Sequence, residues 1–308
     1  MKTLNISLNL TFPKRHIDLI KVLSPFFNLE SEDVLNIELT FSEGKGFIYS
    51  DNLLLIATIL DMLKKRGIMV NIKIIGSNSY AARVNFFTLL GHIVHEAPPN
   101  RNSIGRFIEI KPFDPKTMYY LQDELNFILH QIQGISKEVL QLLFYCLAEI
   151  IDNTIVHSGL ETGWVSAQYF PVKKEIRLII CDTGKGIQKS LSTNPKYSGI
   201  SEADAVRKSI ERGVTDGEGL GFGLFATSRF IMLNEGDLLL YSGKSYLQLA
   251  QGRYIVNDGE HWQGTMVYLR INTNVPVDYK DIMPPHHTLP DDYDFFIEKF
   301  IGENNELW

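Results

Sequence analysis

The chain has 308 residues, of which 44% are apolar and 21% are charged, and its formal net charge is −6. This composition excludes wholesale disorder, a collagen-like repeat and a disulfide-dense miniprotein, because Gly, Pro and Cys show no class-defining excess. At about 150 residues per domain the length predicts two domains, and the negative charge gives no reason to expect nucleic acid as a partner.

The amino-terminal residues do not have the pattern of an export signal. Apolar and polar residues alternate over residues 4–12, which is the period of a strand and not the continuous apolar block of a signal peptide. The most apolar stretch, residues 53–63, contains Asp61 and is shorter than the about 20 residues that span a bilayer. Cys146 and Cys181 lie in apolar runs, where thiols are usually buried. These features predict a cytoplasmic protein without a membrane span.

A first unit is predicted over residues 1–100. In chain order the pattern predicts a strand at residues 4–12, a helix from residue 16, a strand at 34–41, a short extended piece at 47–49, a helix at 52–66, a strand at 70–75 and a helix at 80–90. Residues 97–102, with two consecutive prolines, continue neither a helix nor a strand. We therefore place a domain boundary there.

A second unit is predicted over residues 101–275, followed by a tail at 276–308. Its predicted elements are strands at 106–110, 164–170, 175–181, 238–241, 246–250 and 265–271, and helices at 115–132, 137–157 and 224–233. Between them, residues 188–221 are rich in Gly, Ser, Thr and charge and contain one helical piece near 203–212. A loop of this length predicts a lid over a site.

One predicted helix carries a polar stripe. Glu149, Asn153 and His157 recur every four residues and therefore lie close to one face of the helix at 137–157. The rest of that helix is apolar, and an acid and an amide beside a core are costly unless they have partners. The stripe is typical either of a site or of a solvated face.

Three glycine motifs follow. Asp182 comes directly after a predicted strand and precedes Gly184 and Gly186, which allow either a tight turn or close approach of a ligand to the backbone. Glycines then alternate just before a helix, where free amide groups attract phosphate and where a hinge is the alternative; these are Gly217, Gly219, Gly221 and Gly223. Gly264 and Thr265 open the last predicted strand.

The order of these motifs resembles the GHKL ATP-binding family, which includes gyrase, MutL, heat-shock chaperones, histidine kinases and anti-sigma serine kinases. The resemblance covers residues 106–272 and implies an α/β sandwich in which helices cover a mixed sheet. It also implies ATP and Mg2+ as cofactors. A P-loop ending at residues 243–245 is excluded because the first glycine it needs falls on Leu238.

The resemblance assigns a role to each motif residue. Asn153 would hold Mg2+ against the phosphates, Asp182 would accept a hydrogen bond from the adenine amino group, and Thr265 would assist through an ordered water. Gly184 and Gly186 would border the adenine pocket, and Gly219, Gly221 and Gly223 would offer amides to the phosphates. Glu149 would be the general base that activates water or a hydroxyl.

Within this family the chain looks most like the anti-sigma serine kinases, which favour an Asn followed four residues later by His. Residues 34–90 resemble a STAS domain, the fold of the antagonists that those kinases phosphorylate, and Ser50 matches its phosphoacceptor region or serves as a helix N-cap. Gly217 replaces the family's arginine before the second glycine motif, so a cation would come from a partner subunit or from Arg207, Lys208 or Arg212 in the lid.

The sequence is therefore compatible with two functions. The first is a signalling or regulatory ATPase or serine kinase with a protein partner and a possible homodimeric state. The second is a nucleotide-gated protein-binding switch with no significant turnover.

Overall fold

A computed structural model describes residues 1–42, 47–92, 105–132, 137–156, 158–160, 162–217 and 221–282. Within these ranges the chain forms a three-stranded parallel sheet followed by a five-stranded antiparallel sheet, both covered by helices. This confirms the predicted α/β class, although every described strand pair of the second sheet is antiparallel, where the resemblance implied a mixed sheet. No described helix combines the length and the apolar character that crossing a membrane requires.

The amino-terminal unit contains the parallel sheet. Its elements are β1 (Thr3–Asn9), α1 (His16–Leu23), a 3-10 turn (Ser24–Asn28), β2 (Val34–Thr40), α2 (Ser50–Lys65), β3 (Met69–Ile75), α3 (Ser79–Arg83) and α4 (Phe86–Leu89). The strands lie in the order β1, β2, β3, with Leu4 opposite Leu35 and Val70 opposite Leu35. Apolar residues alternate along each strand, so one face of the sheet meets the helices and the other is polar.

Three predictions for this unit are wrong in detail. Residues 47–49 do not form a strand. The helix predicted at 80–90 is two short helices, because Asn85 adopts φ 69 and interrupts the helical backbone. Ser50 is the first residue of α2 and not its N-cap, which is Tyr49 in extended conformation.

The second unit contains the antiparallel sheet. Its elements are β4 (Phe107–Phe113), α5 (Met118–Leu129), α6 (Lys137–Val156), β5 (Gly163–Phe170), β6 (Glu175–Cys181), α7 (Gly186–Leu191), a 3-10 turn (Pro195–Tyr197), α8 (Glu202–Lys208), α9 (Gly223–Leu233), β7 (Asp237–Ala250), β8 (Arg253–Asn272) and α10 (Tyr279–Ile282). The strand order is β4, β5, β6, β8, β7. Three predicted strands are in fact one long hairpin, β7 with β8, and residues 253–264 were missed because polar residues and Gly259 interrupt their apolar alternation.

Both faces of the antiparallel sheet are covered. Helices α5, α6 and α9 pack on one face around Leu143, Ile180 and Leu269. Helices α1 and α2 and the first 3-10 turn pack on the other face, which is also apolar. Thirteen of the sixteen residues of α2 are buried, because this helix lies between two sheets. The predicted boundary near residue 100 and the tail from residue 283 lie outside the described residues, so the domain limits stay predictions.

Candidate functional site

Glu149 and Asn153 of the polar stripe on helix α6 line a cavity of about 340 Å³. Leu142, Leu143 and Leu147 of this helix are buried in the core, which fixes its rotation and leaves Glu149 and Asn153 on the cavity wall. Asp152 lines the same wall and was not predicted. His157, the last member of the predicted stripe, lies outside the described residues.

Asp182 comes directly after β6 and lines the same cavity. Asp182 is 3% exposed, and its Oδ1 accepts a hydrogen bond from the amide of Gly184 at 2.8 Å. Burial raises the pKa of Asp182 to about 7, although the backbone amides of Gly184 and Thr265 favour the ionised form. A carboxylate with this pKa is a buried acceptor that still ionises at neutral pH.

Glycines make the turn around Asp182 possible. A Cβ at Gly184 would lie 2.2 Å from the carbonyl oxygen of Ser158, and Gly186 adopts φ 78 against the hydroxyl of Ser242. Gly264 adopts φ 94, and a Cβ there would lie 2.4 Å from the main-chain oxygen of Asp182. Side chains are therefore excluded on three sides of the turn, as close backbone packing requires.

A bulge in β8 shapes the same region. Gly243 of β7 is opposite Trp262, whereas Ser242 is opposite Thr265, so two extra residues of β8 are inserted between these pairs. The first of them, Gln263, donates from Nε2 to the carbonyl of Thr183 at 2.7 Å. The bulge also brings Thr265 to the cavity wall.

The hydroxyl of Ser242 links the bulge to the start of the lid by two hydrogen bonds. It donates to the carbonyl of Gly264 at 2.8 Å and accepts the amide of Ile187 at 2.9 Å. Ser242 was not predicted, because a serine inside an apolar strand gives no motif. The residues 243–245 that end like a P-loop lie in β7, where the amide of Lys244 donates to Glu202 at 2.8 Å.

The lid has more structure than the predicted loop. Helices α7 and α8 and the 3-10 turn between them enclose a small core of Leu191, Tyr197 and Ala205. The helix predicted at 203–212 is α8 and ends at Lys208. Val214, Thr215 and Asp216 of the lid reach the cavity.

The second glycine motif closes the cavity. Gly221 adopts φ 61, and a Cβ there would lie 2.5 Å from the carbonyl oxygen of Val214. Gly223 begins α9, and a Cβ there would lie 2.7 Å from Cβ of Glu149, so the start of α9 packs directly on α6. Gly219 lies outside the described residues. The predicted site residues that line this one cavity are Glu149, Asn153, Asp182, Gly186, Gly221, Gly223 and Thr265.

The cavity is acidic. Its described lining contains four carboxylates, on Glu149, Asp152, Asp182 and Asp216, and no lysine or arginine. Burial, together with the negative charge of Glu149, raises the pKa of Asp152 to about 6, and its Oδ1 is buried without a hydrogen-bond partner in the described structure. A polyphosphate would be repelled by these charges unless a cation accompanies it.

The lid cations suggested by the sequence do not reach the cavity. Arg207 pairs with Asp204 at 2.5 Å and Lys208 with Glu211 at 3.4 Å, both on the exposed side of the lid. Arg212 is likewise absent from the cavity lining.

Comparison with known proteins identifies the class of this domain. Residues 138–273 match the family model described as histidine kinase-, DNA gyrase B- and HSP90-like ATPase. The match supports a GHKL-type ATPase domain in this range, as the resemblance implied, and with it ATP binding. No curated protein matches the chain.

Replacing Gly264 with alanine is expected to destabilise the fold by roughly 3 kcal/mol, because the new Cβ meets the Asp182 backbone and the φ value is strained. Thermal denaturation measures this change. Gly252→Ala is the matched control: Gly252 adopts φ 71, but its Cβ would have open space. Its expected cost is about 1 kcal/mol. Equal losses in the two variants would show that contact with Asp182 contributes nothing.

Proposed function

We propose that residues 101–275 bind Mg-ATP and that the protein hydrolyses ATP or transfers its γ-phosphate in a signalling or regulatory role. The observation that carries this proposal is one cavity that collects Glu149, Asn153, Asp182 and Thr265 from separate segments of the chain. The cavity volume of about 340 Å³ lies in the range of small-molecule sites.

The two ends of the cavity suit the two ends of ATP. Buried Asp182, held by the Gly184 amide, is the acceptor for the adenine amino group, with Thr265 beside it through an ordered water. Gly186 and Gly221 line the wall, where their lack of a side chain admits the ligand. Gly223 at the start of α9 presents an amide to the phosphates.

Glu149 is the candidate catalytic residue. It lies one helical turn before Asn153 on the same cavity wall, within reach of a nucleophile that attacks the γ-phosphate. Glu149 would accept the proton of the attacking water or hydroxyl as that oxygen bonds to phosphorus and ADP leaves.

The donor groups fit Mg2+. The cation prefers oxygen ligands and usually takes only one or two from the protein, with phosphates and waters as the rest. Asn153 offers an amide oxygen, and the unpartnered Oδ1 of Asp152 shows that the wall has acceptor capacity to spare. No group of three His, Cys, Asp or Glu among the described residues forms a protein-only metal site. When bound, Mg2+ would offset the repulsion between the phosphates and the wall carboxylates.

The finer assignment is a serine kinase fused to a STAS-like module. The alternating strands and helices of residues 1–90 support it, but Ser50 is only 8% exposed. A phosphoacceptor must reach the γ-phosphate, so phosphorylation of Ser50 would require α2 to leave the sheet. A separate protein partner is therefore the more accessible acceptor.

The acidic lining also favours a partner. Phosphoryl transfer benefits from a cation at the γ-phosphate, and the described cavity wall has none. We propose that an arginine or lysine from a protein partner, or from a second copy in a homodimer, supplies it. The alternative function, a nucleotide-gated switch, is favoured by the lid, which has a small core of its own and lines the cavity with Val214, Thr215 and Asp216.

The test is incubation with γ-labelled ATP and Mg2+, following label into free phosphate and into protein. Label on protein means a kinase, free phosphate alone an ATPase, and binding with neither product the nucleotide-gated switch.

Asn153→Ala is expected to weaken Mg-ATP binding by about 100-fold or more, because the amide ligand of the cation is lost. Titration calorimetry with and without Mg2+ measures this loss. Asn126→Ala is a matched control on α5, outside the cavity. Unchanged Mg-ATP affinity in Asn153→Ala would remove this residue from the site.

A further inference from the structure

The amino-terminal unit touches the antiparallel sheet directly behind the cavity. Trp262 of β8 is fully buried there, and its ring packs edge-on against Phe27 of the first 3-10 turn, with centroids 5.5 Å apart. On the neighbouring strand β6, the sulfur of Cys181 lies 3.3 Å from the hydroxyl of Thr58 in α2. Both contacts therefore lie next to the main chain of Asp182.

The indole of Trp262 also bonds to Asp182 itself. Its Nε1–H donates to the main-chain carbonyl of Asp182 at 3.2 Å, in a buried environment. The β8 bulge begins at the next residue, so Gln263 holds the carbonyl of Thr183 and Gly264 packs on Asp182. One short segment thus contacts the amino-terminal unit at Phe27 and holds the turn that contains the adenine acceptor.

We propose that Trp262 is a positioning residue for adenine recognition and that it couples the amino-terminal unit to the nucleotide pocket. This inference rests on the proposed function, because it concerns the Asp182 side of the same site. A buried carbonyl that loses its indole donor moves toward another partner. The carboxylate on the same residue moves with it, and its hydrogen bond to the adenine amino group loses alignment.

The coupling is reciprocal. Anything that binds the amino-terminal unit and displaces Phe27 changes the affinity for adenine nucleotides through Trp262, and nucleotide binding changes the affinity of that partner by the same factor. The element that transmits the change is Trp262, whose ring contacts Phe27 of the amino-terminal unit and whose Nε1–H bonds to Asp182 of the second unit.

The test compares ADP with inosine diphosphate, which carries a carbonyl where ADP has the amino group that Asp182 would bind. The ratio of the two dissociation constants reports the alignment of Asp182 and cancels effects on the phosphates. Trp262→Phe keeps an aromatic ring against Phe27 but removes the N–H donor. We expect the preference for ADP to fall by about tenfold, with little change for inosine diphosphate.

Phe27→Leu tests the link from the amino-terminal unit and is expected to lower the same preference. Phe41→Leu is its matched control, because Phe41 is equally buried in that unit and packs on Phe86 and Phe87, with centroids 6.2 and 5.1 Å away. We expect no change in the ratio for Phe41→Leu. Circular dichroism verifies that each variant is folded.

An unchanged ratio in folded Trp262→Phe overturns the positioning role, and equal ratios for Phe27→Leu and wild type overturn the coupling. If Trp262→Phe does not fold, Phe27→Leu decides, since it leaves the indole donor in place. Failure of the proposed function is a different result: the wild-type protein would then bind neither ADP nor inosine diphosphate.

Discussion

Replacing Asp182 with asparagine is expected to weaken adenine-nucleotide binding strongly while making the folded protein more stable at neutral pH. The Gly184 and Thr265 amides are donors directed at this side chain, and in the proposed complex the adenine amino group is a third. Asparagine offers one acceptor oxygen where aspartate offers two. A site that loses a buried acceptor in this way discriminates strongly, and we expect the ADP dissociation constant to rise by about 100-fold or more.

The gain in stability follows from the pKa of the carboxyl. Burial raises the pKa of Asp182 from 3.8 to about 7, so between these values the folded state keeps a proton that the unfolded state has lost. The contribution of Asp182 to wild-type stability therefore falls as pH rises through this range and levels off above pH 7. The total is on the order of 4 kcal/mol. A neutral asparagine avoids this loss, so its advantage is larger at pH 8 than at pH 5.

Calorimetry for ADP and thermal denaturation at pH 5 and pH 8 measure the two effects. Asp33→Asn is a control of opposite sign, because hydrogen bonds from the backbone amides of Glu30 and Lys2 lower the pKa of Asp33. That variant is expected to lose stability above pH 4 and to keep ADP binding. ADP affinity equal to wild type in Asp182→Asn would place the adenine elsewhere.

Local sequence patterns predicted much of the candidate site. The four-residue spacing of Glu149 and Asn153 placed both on one face of α6. The glycines next to Asp182 predicted either a tight turn or a close approach of a ligand to the backbone, and the structure has a turn without room for a Cβ at Gly184. These inferences needed only helix geometry and the size of glycine. The same order of motifs predicted the domain class, which the family match over residues 138–273 confirms.

The long-range features of the site were not predictable in this way. The β8 bulge depends on the pairing of Ser242 with Thr265 across the hairpin, which a local pattern does not contain. The first half of β8 was not recognised as a strand, because residues 257–261 lack the alternation of apolar and polar residues. Asp152 was overlooked because its neighbour Asn153 carried the motif. Its role emerges only from burial and from its shared wall with Glu149.

The sequence does indicate that both faces of the antiparallel sheet are buried. Residues 178–181 of β6 are a continuous apolar run, and such runs indicate a strand that is buried on both faces. Likewise α2 is apolar on nearly all sides, as a helix between two sheets must be. The sequence did not indicate which helix covers which sheet, because both sheets have an apolar face of the same kind.

Replacing Glu149 with glutamine is expected to reduce release or transfer of the γ-phosphate by on the order of 10²–10⁴-fold while ATP binding stays within a few-fold of wild type. Glutamine keeps the shape of the side chain against Gly223 but cannot take a proton from the attacking nucleophile. Loss of turnover without loss of affinity is what distinguishes a general base from a binding residue.

Single-turnover measurements with γ-labelled ATP, together with calorimetry for a non-hydrolysable analogue, separate these two quantities. Glu124→Gln on α5 is the matched control, because Glu124 is paired with Lys111 outside the cavity. Wild-type turnover in Glu149→Gln would move the base to another carboxylate of the wall, with Asp152 the nearest along the chain. Tight binding with no turnover in either protein would instead favour the nucleotide-gated switch, in which ATP orders the lid and Glu149 transfers no proton.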